Sequence, residues 1–76
     1  MKGTKDPSGS TQRTIEYHVV PHAGRWEIER DDAFTGRFAH EAGTAVSLAI
    51  AAAEREPGDA IVCIQEADGT CRHLWP

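Results

Sequence analysis

Cysteine is scarce in this 76-residue chain. Cys63 and Cys71 are the two present, too few for the multi-bridge framework of small secreted domains. Long apolar runs are missing as well. The longest apolar-rich stretch, 45–53, is broken by Ser47 and is mostly alanine, whereas a bilayer span needs roughly 20 apolar residues. Residues 1–10 hold no apolar h-region, so no secretory signal is expected. There is no Gly-x-Gly-x-x-Gly or Walker-type loop to cradle phosphates. No Gly-x-Ser-x-Gly surrounds a hydroxyl, and neither thiol sits in a nucleophile context. Clustered base is absent too. Residues 1–13 hold three basic groups against one acid, net +2, and residues 14–76 hold five against eleven, net −6. Binding to a phosphate backbone depends on clustered Lys and Arg, so nucleic acid is disfavoured as a partner. These absences leave one cytoplasmic domain with a small core and no membrane partner. A chain this short buries only about 60% of its unfolded surface.

What is present reads as alternating strands and one helix. Residues 1–13 lack any large apolar side chain after Met1, so they are expected to form a disordered tail before a single domain over 14–76. In the first strand, 14–21, Ile15, Tyr17 and Val19 alternate with Glu16, His18 and Val20. In the second, Trp26 and Ile28 alternate with Glu27 and Glu29. One face holds both apolar sets only if the loop has an even length, Ala23-Gly24 or His22–Arg25. That register sets His18 opposite Glu29 and Val20 opposite Glu27, because a one-residue slip would turn every side chain over. Strand 3, 33–39, carries Phe34 and Phe38 on one face. Placing them in the core with Trp26 and Ile28 calls for an odd loop, Asp31-Asp32-Ala33, with a bulge or close approach at Gly36.

A helix is expected over 42–56, with Ala42, Ala45, Val46, Ala49, Ile50 and Ala53 on one stripe and Leu48 at its margin. Glu41 and Thr44 compete as its N-cap, and Pro57-Gly58 stops it. Strand 4, 60–66, contains the continuous run Ile61-Val62-Cys63-Ile64, which implies a central position or a covered second face. Ala67-Asp68-Gly69 turns the chain into strand 5, 70–75. The expected architecture is α+β: an antiparallel sheet in the order β-β-β-α-β-β, with one Ala-rich helix packed on one face.

Candidate chemistry is thin. Cys71 and His73 are two apart on a strand and share a side, which makes them the nearest approach to a metal pair. However, His18 and His22 lie about 13 Å apart along an extended strand, too far to chelate together. No metal ligand set and no cofactor are assigned. A two-residue turn sets Cys63 opposite Leu74, and a three-residue turn with a bulge at Gly69 sets it opposite His73. Neither register brings the cysteines into disulfide range. The acids Glu16, Glu27, Glu29, Asp31 and Asp32 read as a solvated face, since paired catalytic carboxylates need a cleft and unlike surroundings. His18 opposite Glu29 reads as a cross-strand charge pair. Trp75 is expected at one end of the core or as an interface anchor. Val20 is an apolar residue on an otherwise polar face, beside His18 and His22.

The run Tyr17-His-Val-Val-Pro-His22, followed by Gly24, Trp26-Glu-Ile and Arg30, resembles the small bacterial proteins of domain-of-unknown-function family 2188. Further matches are His40, the Ala-rich stretch 45–53, the run 61–64 and Asp68-Gly69, so the resemblance covers about residues 15–71. It implies a fold and no catalytic residues, because that family has no assigned activity. The β-β-β-α-β order with Gly-x-Trp in the second strand is also similar to HicB-type antitoxins, although Phe34-Thr-Gly-Arg-Phe38 stands where that group carries Pro-Asp-Leu-Pro-Gly. The functional expectation is a non-catalytic interaction module that binds a second copy of itself or another protein. Its contact residues would be Val20, His18, His22, Leu48 and Trp75. The alternatives are an antitoxin-like or nucleic-acid-associated regulator, and a small metal-binding protein or hydrolase.

Overall fold

The structure is a computed structural model that describes residues 13–76. The expected tail therefore lies outside the described residues, apart from Arg13, whose guanidinium pairs with Asp31 at 2.8 Å. Five strands and one helix follow: β1 (Ile15–His22), β2 (Arg25–Arg30), β3 (Ala33–Ala39), α1 (Ala42–Glu54), β4 (Ala60–Gln65) and β5 (Cys71–Trp75). They form one sheet in the spatial order β3-β2-β1-β4-β5.

The class is α+β with one helix, as expected, but the sheet is mixed. β1 and β4 run parallel, with Tyr17 beside Val62 and Val19 beside Ile64. Chain direction explains the correction. Two hairpins return β3 to the direction of β1, and α1 carries the chain back before β4 begins. β4 therefore enters alongside β1, through the helical crossover that parallel neighbours need.

The first hairpin has the even loop. Ala23 and Gly24 both take positive φ, +56° and +78°, the type I′ geometry that matches strand twist. Val19 faces Ile28, His18 faces Glu29 and Val20 faces Glu27. The second hairpin departs from the odd loop. Its loop is the two-residue Asp31-Asp32, both at positive φ, which sets Ala33 opposite Arg30 and Phe34 opposite Glu29. Two extra residues then bulge out of β3, and the ladder resumes with Arg37 opposite Ile28, Phe38 opposite Glu27 and Ala39 opposite Trp26. Gly36 holds the bulge at φ +88°, and the Thr35 hydroxyl donates to the Ile28 carbonyl at 2.8 Å. Both phenylalanines consequently stand on the face away from the helix. They are 47% and 40% exposed, not in the core.

The core lies between the sheet and α1. Tyr17, Val19, Ile28, Val62 and Ile64 meet Ala45, Ala49 and Ala53 of the helix. An alanine stripe lets the helix axis come close to the sheet, so the core is thin. Glu41 is the N-cap, without a side-chain hydrogen bond, and Arg55 closes the C-terminus. Just beyond it, the Glu56 carboxylate accepts from the Tyr17 hydroxyl at 2.5 Å and from Arg30 at 2.9 and 3.2 Å. This triad ties the helix end to β1 and β2. No helix among the described residues is long and apolar enough to cross a membrane.

Candidate functional site

With the helix on one side, no other described element covers the opposite sheet face, and strand register decides what that face carries. One row runs across all five strands: Phe34, Glu29, His18, Cys63 and His73, each opposite the next. A second row holds Phe38, Glu27, Val20 and their neighbours. Apolar groups, acids and imidazoles therefore alternate on a single surface.

At one corner the face is tightly organised. Glu27 is only 8% exposed. Its carboxylate accepts from Arg25 Nε and a terminal Arg25 nitrogen at 3.1 and 2.9 Å, and His22 Nδ1 lies 3.2 Å away. The Arg25 hydrogen bonds hold this carboxyl below the usual carboxylate range against the opposing effect of desolvation, and His22 adds to them. The same guanidinium stacks on Phe38, 4.0 Å from the ring centroid, and His40 meets that ring edge-on. Phe38 is thus exposed to solvent yet fixed in direction, with cation–π contact on one side.

At the neighbouring corner, His18 stands among acids. Its Nε2 lies 3.2 Å from Glu16 Oε1, and its Nδ1 lies 4.0 Å from Asp32 Oδ1. His18, Glu29 and Asp32 can each present one ligand atom within 4.8 Å of the others. Asp31 fixes this turn. It accepts from the Glu16 N–H at 3.0 Å and from Arg13, which holds its carboxyl low.

The remaining sequence candidates separate. Cys63 is buried and Cys71 exposed, and both are free thiols. The turn into β5 takes the three-residue form with Gly69 at φ +91°, so Cys63 faces His73 and Cys71 faces Gln65. Burial pushes the Cys63 thiol up, which keeps it protonated and a poor nucleophile or ligand. His73 Nε2 is 2.9 Å from the Trp75 carbonyl. Val20, His18 and His22 share the open face. Leu48 and Trp75 lie on the other side, half-buried against the core, with Trp75 beside Val62.

Sequence reasoning reached the His18–Glu29 pairing and set Asp32 among the acids of this face, but it did not bring Asp32 to His18 and it missed Phe34 and Phe38 as members of the face. The missed signal was the Asp-Asp pair. Asp tolerates the left-handed region at both centres of a type I′ turn, so a two-residue loop was open to it. Comparison with protein-family models, with curated proteins and with solved structures gives no match.

Proposed function

We propose that the chain is a non-catalytic interaction module that docks a protein partner through the open sheet face. The observation that carries this reading is the pair Phe34 and Phe38, large aromatics 47% and 40% exposed on a sheet face that no other described element covers. Aromatic residues are enriched at protein contacts, where a few residues carry most of the binding energy. Phe38 is already held by Arg25, so docking orders little that is not ordered. Val20, His18 and His22 extend the patch. Glu16, Glu29 and Asp32 form its acidic border and have no Lys or Arg ion-pair partner among the described residues. A partner presenting apolar groups flanked by Lys or Arg fits this border, whereas a phosphate backbone is repelled by it. The resemblance of residues 15–71 to family 2188 adds an expectation of fold and none of activity.

The test compares the full chain with a Phe34→Ser/Phe38→Ser variant. Proteins retained by the immobilised wild type are identified, and the affinity of each is measured against both forms. A specific partner should bind the variant at least tenfold more weakly and should lose affinity with added salt. Equal binding to both forms would remove the face from the account. Concentration-dependent dimerisation that the variant abolishes would put a second copy of the chain in the partner's place.

A further inference from the structure

We infer that His18, Glu29 and Asp32 form a site for a borderline divalent transition-metal ion of the zinc type. Their ligand atoms lie within 4.8 Å of one another. Ligands on a tetrahedral ion with bonds of about 2.0 Å stand roughly 3.3 Å apart, so closing the site needs only small side-chain rotations. Asp32, 89% exposed, is free to make them. The backbone beneath is already placed: the β1–β2 register sets Glu29 opposite His18, and Asp31 anchors the turn that presents Asp32. What distinguishes this group from ordinary acidic surface is the imidazole and its orientation. His18 Nδ1 faces Asp32 at 4.0 Å, too long for a hydrogen bond, while Nε2 faces Glu16 at 3.2 Å. With the ion on Nδ1, the Nε2–H points at the Glu16 carboxylate, the carboxylate–histidine–metal arrangement that fixes the tautomer and makes the ligand more basic. A neutral imidazole with two carboxylates balances a dication. Arg13, a nearby cation among the described residues, is engaged by Asp31. One nitrogen and two oxygen donors favour zinc, cobalt or nickel over magnesium and calcium, which prefer all-oxygen sites. Three protein ligands leave at least one position open on the exposed side. The site shares the face proposed for docking, but ion binding is read without a partner, so either claim can fail alone.

The experiment titrates the full chain, free of any polyhistidine tag, with zinc chloride by calorimetry and with cobalt chloride by visible absorption. Expected is one ion per chain, with affinity reduced at least tenfold in His18→Gln, Glu29→Gln and Asp32→Asn. Glu16→Gln should weaken binding about tenfold through the orienting hydrogen bond. A Cys71→Ser/His73→Asn control should bind as the wild type does, and the cobalt complex should lack a thiolate charge-transfer band. Circular dichroism of each variant confirms that it is folded. Absence of stoichiometric zinc binding at micromolar concentration would overturn the inference. Unchanged affinity in the three ligand variants, or loss of binding in the control, would overturn it equally.

Discussion

Ala23 carries the clearest local conflict in the chain. It holds φ +56° at the first centre of a type I′ turn, where an alanine Cβ crowds its own backbone at a cost of about 1 kcal/mol or more. Asparagine accepts that conformation, and Asn-Gly is the preferred type I′ pair. Ala23→Asn should therefore stabilise the domain by roughly 0.5–1 kcal/mol, read as a rise of a few degrees in a thermal melt. Tyr17 makes a second residue-scale prediction. It is the single tyrosine, and burial followed by its hydrogen bond to Glu56 raises its pKa above the ordinary 10.0. Ultraviolet titration should show phenolate forming later than in a free tyrosine. Tyr17→Phe removes the hydroxyl bond and should lower stability by about 1 kcal/mol, or roughly 4–8 °C in a domain of this size. The sequence showed Tyr17 as core by its alternation with Glu16 and His18. It did not show that the hydroxyl has a partner, because Glu56 meets it only through the placement of the helix end.

The hairpins differ in how much of them could be read from sequence. In β1–β2, both strands carry clean alternation, so hydrophobic parity alone required an even loop and fixed His18 opposite Glu29 and Val20 opposite Glu27. In β2–β3, parity misled. Treating Phe34 and Phe38 as core demanded an odd loop, while the chain uses the two-residue Asp31-Asp32 turn and a bulge, and turns both rings outward. The alternation rule assumes that large apolar residues face the core, an assumption that fails where an aromatic belongs to an exposed surface. Gly36 sustains that bulge. An added Cβ there would meet no atom within 4 Å, so Gly36→Ala should be costly only through the φ of +88°. The expected loss is about 1–2 kcal/mol, measured by denaturant unfolding. An unchanged midpoint would mean that the bulge is not held as described. The helix was legible almost residue by residue, since its stripe of Ala45, Ala49 and Ala53 is the buried one.

Across the whole molecule, the mixed sheet follows from direction alone: two hairpins and one crossover helix make β4 parallel to β1. Three of the four neighbouring strand pairs are antiparallel hairpins, and only the β1–β4 pair, reached through the helical connection, is parallel. The His18 group was half legible for a related reason, since the strand register supplied Glu29 while Asp32 depended on turn length. A domain this small has limited stability to lose, so the Glu56 triad should show in its pH response. Arg30 first, and then Tyr17, hold the Glu56 carboxyl below the usual range. A depressed folded pKa stabilises fully above the unfolded value, near 4.3, and that contribution is lost as pH falls through the folded value. Melting temperature should therefore drop below about pH 4 in the wild type. In Glu56→Gln it should start lower at neutral pH and respond less to acid. The central claim is that Phe34 and Phe38 stand on an uncovered face and serve binding, not the core. The thermal melt of Phe34→Ser/Phe38→Ser tests it most directly. Surface rings predict cooperative unfolding with a loss of no more than roughly 1 kcal/mol per site. Core rings would each cost about 3–5 kcal/mol, and a variant that no longer unfolds cooperatively would contradict the account.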